Sequence, residues 1–308
     1  MKKLLSIYTL SIALLALSII YNGCDTPAPT ELVIDSDTTT EDQVDVEIIT
    51  KDTQDEFYSN GFDSTGVALR LHNFGSVIVI TGTKITSNNI TNSTSLGQAV
   101  FFDNNSPVRN MNGNIIGFHT FSPGVIKFNN ITAKIRQHNV KFNNGSSVID
   151  STLGPMFVVF SGRQNTVDPF GYNFKSNVSF QLNPDKGPSI SFLIPTPDEV
   201  TGKVTFSGNR NAKNLKAVLG WNGNSNQKIE IVLGVKVKGS NISFPLYSLK
   251  TRDDGKFVVP SQLINSIPLE RFDNIIFAFV RRIEFDNGSG SNRLKILSQS
   301  IHTIIINI

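Results

Sequence analysis

Short runs of alternating apolar and polar residues, separated by turn-forming residues, constrain this chain more than any other feature. From about residue 64 onward, β-branched and aromatic side chains alternate with polar ones in segments such as 77–85, 133–142 and 228–237. Asn, Gly and Pro separate these segments, and they adopt or preset the backbone angles of tight turns. No stretch keeps a helical period for ten residues. The sequence therefore predicts an all-β protein built from sandwiches or barrels.

A break in this pattern predicts two domains. Two prolines and two acids interrupt the alternation at residues 194–199. The sequence predicts one β-sandwich or barrel-like domain at residues 63–196 and a second β-sandwich domain at residues 197–308. The second has about seven strand-like segments, the number typical of an immunoglobulin-like sandwich. One helical turn is expected at residues 261–267, with Ser261 as its N-cap after Pro260.

The first residues have the pattern of an export signal. Lys2 and Lys3 precede an uncharged apolar run at residues 4–20, which is typical of a signal peptide. The run ends close to Cys24, the only cysteine in the chain. Residues 1–24 resemble a bacterial lipoprotein precursor, and this resemblance implies removal of residues 1–23 and lipid attachment at Cys24. An ordinary signal peptide with a spare thiol and an uncleaved membrane helix are the alternatives.

This resemblance also implies a location. A lipid on Cys24 would anchor the protein in the bacterial cell envelope, with the outer membrane or the cell surface favoured over the inner membrane. The lipid bilayer is then the first expected partner. Because Cys24 would be used for the lipid, no disulfide could form, and the exported domains must be stabilised by apolar burial.

Charge divides the chain into an acidic segment and a basic body. Residues 25–56 contain eleven acids and one base, whereas the chain after residue 56 contains 25 bases and 14 acids. Residues 24–62 hold few aromatic side chains and are predicted to be a disordered, lipidated linker. A short strand at residues 44–49 is the alternative there. The basic body favours an anionic glycan or another envelope protein as a partner, and export argues against nucleic acid.

A second resemblance covers residues 194–285. A strand ends in Leu219-Gly220-Trp221, residues 254–264 read DGKFVVPSQLI, and residues 278–282 read AFVRR. This order resembles an Ig-like module of uncharacterised bacterial surface lipoproteins. The resemblance implies an Ig-like fold and assigns no activity.

Catalytic and metal-binding motifs are absent from the sequence. The four histidines, His72, His119, His138 and His302, lie far apart and form no zinc motif. Asp150 and Asp168 are the acids considered for a glycosidase, although each fits a turn or a strand end. Residues 253–255 and 286–290 invite a calcium interpretation but fit hairpin turns better.

The sequence therefore favours a binding, adhesion or structural module over an enzyme, with no cofactor and no metal. The alternative is a secreted or surface hydrolase, acting on glycan or peptide, whose acids converge only in the fold.

Two further sites carry predictions. Lys134, Arg136 and His138 alternate along one predicted strand, so that their side chains share a face and are candidates for binding an anion. A solvated sheet face is the simpler interpretation of this stripe. Trp221, the only tryptophan, shares a strand face with Leu215 and Leu219, and it is predicted to lie in the core of the C-terminal sandwich. An exposed ligand platform is the alternative for Trp221.

Overall fold

The computed structural model describes residues 45–49, 76–109, 113, 115–143, 148–161, 170–209, 211–212, 214–224, 227–240, 242–288 and 294–307. Residues Asp42–Ile308 form one compact unit. The described part contains the strands β1 (Asp45–Ile48), β2 (Ser76–Ser87), β3 (Ile90–Arg109), β4 (Ile115–Thr120), β5 (Gly124–Phe128), β6 (Ile131–Thr132), β7 (Lys134–Asn143), β8 (Val148–Ser161) and β9 (Asn177–Pro184). It continues with β10 (Ile190–Pro195), β11 (Gly202–Ser207), β12 (Lys216–Trp221), β13 (Lys228–Val237), β14 (Ser243–Arg252), β15 (Lys256–Val259), β16 (Phe272–Asn287) and β17 (Leu294–Asn307).

Three sheets hold these strands. The largest has ten strands in the order β1-β14-β13-β16-β17-β2-β3-β8-β7, with β4 paired to β3. A four-stranded sheet has the order β10-β9-β5-β6, and a three-stranded sheet has the order β11-β12-β15. Both small sheets pack on the same face of the large one, because Ile296 in the N-terminal core and Ile304 beside the C-terminal core lie on one face of β17. The predicted all-β, sandwich-like fold is confirmed, and the narrower Ig-like assignment stays a prediction.

Two apolar cores separate the small sheets from the large one. The N-terminal core contains Phe128 and Phe180 from the four-stranded sheet and Ile78 and Phe157 from the large sheet. The C-terminal core is larger, and it joins the three-stranded sheet to β13 and β16. Its buried members include Leu219, Ile231, Leu233, Phe277 and Phe279.

The ten-stranded sheet crosses the predicted domain boundary. β17 lies at its centre, antiparallel to β16 on one side and parallel to β2 on the other. The cores fall on either side of residues 196–197, apart from Ile296 of β17, which belongs to the N-terminal core. The division into domains at residues 63–196 and 197–308 stays a prediction, to which the structure adds a shared sheet.

β1 lies within the range predicted as linker. Residues Asp45–Ile48 pair with β14, and Ile49 is buried against Ala278 and Val280 of the large sheet. The alternation of Val46 and Ile48 with acids was the basis for the alternative interpretation as a strand, and the structure shows that strand. The rest of residues 24–62 lies outside the described residues.

The predicted helical turn forms, but its cap differs from the prediction. A short helix, α1, spans Ser261–Asn265, and a 3-10 turn follows at Leu269–Arg271. Pro260, with φ −51° and ψ 132°, occupies the N-cap position, so Ser261 is already the first helical residue and makes no side-chain cap. The fixed φ of proline suits it to the entry of a helix. Within the described residues, no helix has the length and apolar character needed to cross a bilayer.

Candidate functional site

The predicted anion-binding stripe lies on β7, at one edge of the large sheet. Lys134 and Arg136 are exposed there, and they pair across the ladder with Val158 and Met156 of β8. His138 shares their face but is only 4% exposed, and its ring lies against Phe102 at a centroid distance of 6.2 Å. Burial therefore removes His138 from the solvent-facing stripe.

Burial also removes the charge of His138. Loss of solvation lowers its pKa from 6.5 to about 4, because the imidazolium ion is poorly stabilised in an apolar environment. Nδ1 of His138 has no hydrogen-bond partner among the described residues. At neutral pH the stripe thus carries two charges, on Lys134 and Arg136, and their role in binding an anion stays a prediction.

The other candidates for chemistry do not converge in the described residues. Cys24, His72 and Asp168 lie outside those residues, as does the side chain of Asp150. His119 is exposed, with Nδ1 at 3.3 Å from the carbonyl oxygen of Leu153. Among the residues that the structure describes, no group of three His, Cys, Asp or Glu side chains is arranged to hold a metal ion.

The first segment considered for calcium, residues 253–255, connects β14 to β15, and of the second only residues 286–288 lie among the described residues. Oδ1 of Asp254 accepts a hydrogen bond from the backbone N–H of Lys256 at 3.2 Å, and Gly255 has a φ of +96°, which glycine adopts without strain. Gly288, with a φ of +87°, follows the end of β16. Asp253 has a different role, because its carboxylate is fully buried and points into the C-terminal core.

Trp221 is a core residue, as predicted. It is 8% exposed and lies on the inward face of β12 with Ala217 and Leu219. Its ring contacts Phe279 of the large sheet at a centroid distance of 6.0 Å. The alternative, an exposed platform for a ligand, does not fit this position.

The Trp221 indole is hydrogen-bonded to a buried ion pair. Nε1 of Trp221 donates to Oδ1 of Asp253 at 2.6 Å. The guanidinium of Arg281 donates from Nε to Oδ2 of Asp253 at 2.7 Å and from Nη2 to Oδ1 at 3.0 Å. Asp253 is 0% exposed and Arg281 is 1% exposed. We call these three residues the Arg281 cluster.

Backbone carbonyls satisfy the remaining donors of Arg281. Nη1 donates to the carbonyl oxygens of Asp198 and Glu199 at 3.3 and 3.0 Å, and Nη2 donates to that of Asn222 at 2.7 Å. All five N–H groups of the guanidinium therefore have acceptors, which is what a buried charge requires. The cluster fixes the segment between β10 and β11 to the large sheet, so its role is structural.

Polar side chains separate the two cores along β17. On the face that both small sheets cover, β17 presents Ile296 to the N-terminal core and Ile304 to the C-terminal core. Ser298, Ser300 and His302 lie between them and are buried. We call these three residues the polar seam.

The segment that joins the two small sheets crosses the polar seam and is bonded to it. The N–H of Val200 donates to Oγ of Ser300 at 2.9 Å, and the N–H of Gly202 donates to Nδ1 of His302 at 2.7 Å. A Cβ on Gly202 would lie 2.4 Å from the Phe279 ring, so glycine is needed for this approach. From the other side, the hydroxyl of Tyr172 donates to the carbonyl oxygen of Gln299 at 2.8 Å.

These contacts define the charge state of His302. Because Nδ1 accepts from Gly202, the ring proton lies on Nε2, which is 2.9 Å from Oγ1 of Thr86. Burial, and secondarily the charge of Lys84, lowers the pKa of His302, whereas Glu199 opposes this shift. Protonation would place an N–H on Nδ1, facing the N–H of Gly202, and would break that hydrogen bond.

We expect the free energy of unfolding to decrease as the pH is lowered from 7.5 to 5.5. The folded pKa of His302 is lowered, so below pH 6.5 the unfolded chain binds a proton that the folded chain does not. The stabilisation is fully present above the unfolded pKa and is lost as the pH falls below it. Urea unfolding at the two pH values measures this loss, to which His138 also contributes.

His302→Asn should reduce this pH dependence, because its amide oxygen can still accept from Gly202 and does not titrate. His119→Gln, at an exposed position, is the matched control. An unchanged pH dependence in His302→Asn would contradict the role given to His302.

Sequence reasoning found the members of the Arg281 cluster but not their contacts. The sequence predicts a turn at Asp253, an Ig-like motif that contains Arg281, and a core position for Trp221. An Arg in the middle of an apolar strand, in AFVRR, is the signal that could have indicated a buried acidic partner. The polar seam had a similar signal in the sequence SQSIH, within the otherwise apolar end of the chain.

Comparisons with known proteins do not assign the chain to a family. No protein-family model matches it, and no curated protein matches it. Among solved structures, it is similar to the yeast delta-COP-I mu-homology domain complexed with a Dsl1 WxWxV peptide. That similarity covers 75% of this chain and 95% of that chain, at 7% identity and a TM-score of 0.21. A TM-score this low supports no inference about fold or function.

Proposed function

We propose that the protein is a bacterial envelope lipoprotein, anchored through Cys24, whose all-β body acts as a binding, adhesion or structural module. The observation that carries the proposal is the sequence of residues 1–24, in which a basic start and an uncharged apolar run end close to the only cysteine. The outer membrane or the cell surface is the proposed location.

The structure of the body supports a scaffold role. Each small sheet encloses a core of large side chains against one continuous ten-stranded sheet. The Arg281 cluster and the polar seam fix the connection between the two small sheets with buried, directional hydrogen bonds. Such a body presents its surfaces in a fixed relative arrangement, which suits recognition of a partner.

Cys24→Ser is expected to abolish metabolic labelling with palmitate and to release the protein from the membrane fraction, or to block its processing. Each buried CH₂ of an acyl chain contributes ~0.8 kcal/mol to membrane attachment, and serine cannot receive the thioether-linked lipid. Labelling followed by membrane fractionation measures both effects. A variant that is labelled and retained like the wild type would refute the lipid anchor.

A further inference from the structure

Lysines cover the outer face of the three-stranded sheet. Its outward positions lie in three adjacent rows across the strands. In one row Lys203 pairs with Gly220, and Gly220 pairs with Lys256. At the opposite end of β12, Lys216 pairs with Ser207. Lys203 and Lys256 are exposed, and Lys216 is half-buried. We call these three residues, together with Gly220, the lysine face. Its remaining outward positions are Thr205, Ser207, Val218 and Val258.

No acid balances these charges on the sheet. None of the outward positions of β11, β12 and β15 is Asp or Glu, and none of the three lysines makes an ion pair with a described residue. Asp254 lies in the turn before Lys256, where its carboxylate accepts from the backbone of that residue. Clustered charge of one sign raises the local concentration of anions. The lysine face is thus an electrostatic site without a partner in this part of the chain.

The packing of the fold does not require glycine at position 220. Gly220 lies on the central strand of the sheet, one residue before the end of β12, where neither ladder of this strand contains a bulge, and its φ is not positive. A Cβ there would meet only the carbonyl oxygen of Gly255, at 3.9 Å, so packing does not require glycine. Glycine weakens a strand interior and often marks a point where a ligand approaches the backbone closely.

We propose that the lysine face binds an anionic polysaccharide, with one carboxylate seated over Gly220 between the ammonium groups of Lys203 and Lys256. Strand spacing places the Cα atoms of these two lysines about 10 Å apart across Gly220, so that both flexible side chains can reach one anion. Thr205 and Ser207 offer hydroxyl groups to the sugar ring next to it. This proposal names a partner class for the module proposed above and therefore rests on that function.

A glycan fits this face better than a bilayer or a nucleic acid. Surfaces that insert into membranes carry Trp, Phe or Leu beside their bases, and the outward positions here carry none. Single-stranded nucleic acids require aromatic side chains for stacking, which this face also lacks. Six acids lie in the sequence between Cys24 and β1, and in a protein anchored at Cys24 they would oppose approach to an anionic membrane.

Binding of hexagalacturonate to the full chain in detergent, followed by calorimetry, tests the proposal. We expect saturable binding that weakens with salt. Lys203→Gln combined with Lys256→Gln should weaken it about tenfold, since each exposed ion pair contributes up to about fivefold. Gly220→Thr should weaken it by a similar factor while the thermal midpoint stays unchanged or rises, because the added side chain has room and threonine favours strands.

Lys186→Gln is the matched control, since Lys186 is exposed in the turn between β9 and β10, far along the chain from the lysine face. It should change the affinity by less than about twofold. Equal weakening by Lys186→Gln, or full affinity in Gly220→Thr, would refute the site.

Absence of hexagalacturonate binding by the wild type would refute the partner class, as would lysine-dependent binding to phosphatidylglycerol vesicles instead. Palmitate labelling of Cys24 is a separate readout, so failure of the site and failure of the lipid anchor are distinguishable.

Discussion

Asp253→Ala is expected to lower the free energy of unfolding by about 3–5 kcal/mol. The substitution leaves the guanidinium of Arg281 buried, at 1% exposure, without its carboxylate partner. Removing one partner of a buried ion pair costs this much, because the remaining charge is neither solvated nor paired. The indole N–H of Trp221 also loses its acceptor. Urea unfolding at pH 7.5 measures the change.

Two comparisons separate this effect from ordinary charge removal. Glu47→Ala removes an exposed partner of Lys250, at 3.6 Å, and should cost less than about 1 kcal/mol. The double variant Asp253→Ala, Arg281→Met should lose less than the sum of the single losses, because no unpaired charge remains. A loss in Asp253→Ala no larger than that in Glu47→Ala would show that the pair is not buried as described.

Trp221→Ala is expected to lower the free energy of unfolding by about 3–5 kcal/mol, through loss of burial and the cavity left behind. Because Trp221 is the only tryptophan, intrinsic fluorescence reports on this site alone. At 8% exposure the wild-type emission should be blue-shifted and poorly quenched by iodide. Unfolding in urea should shift the wild-type emission to that of exposed indole. The Trp221→Ala variant contains no tryptophan, so circular dichroism of the β-sheets during urea unfolding measures its loss of stability against the wild type.

Trp221→Phe is the control for the hydrogen bond to Asp253. Phenylalanine keeps much of the contact with Phe279 but cannot donate to the carboxylate. Its free energy of unfolding should lie between that of the wild type and that of Trp221→Ala. Wild-type emission close to that of free indole, together with a stable alanine variant, would contradict the core position.

Local patterns predicted most of the strands because a half-buried strand imposes its period of two on the residues that form it. The segment predicted at 77–85 is β2, for example, and the face of Trp221 follows from the same period. Turn chemistry was less reliable. Asn104 and Asn105 have the composition of a separator between strands, but β3 runs through them, with a register shift against β4 in this region. The tight turn occurs earlier, at Asn88 and Asn89, both with positive φ.

Pairing over long sequence separations left no local trace. The parallel ladder between β2 and β17 joins residues more than 200 positions apart. The local sequence of either strand does not indicate which strand it pairs with. The same limit applies to the Arg281 cluster, because hydrogen-bond partners depend on which strands meet. Burial at a sheet edge was equally hidden. Period two placed His138 on a face with Lys134 and Arg136, but it could not show that only His138 is covered.

The central position of β17 bears on how this chain can fold. Synthesis begins at the N-terminus, so β2 and β3 emerge long before residues 294–307. Until β17 arrives, one edge of β2 lacks its parallel partner and the N-terminal core lacks Ile296. Parallel pairing between distant segments is slow, and an unpaired strand edge promotes association between chains. The N-terminal part of the sheet therefore stays incomplete until the last strand pairs with it. The pairing of β17 then completes both cores in one late step.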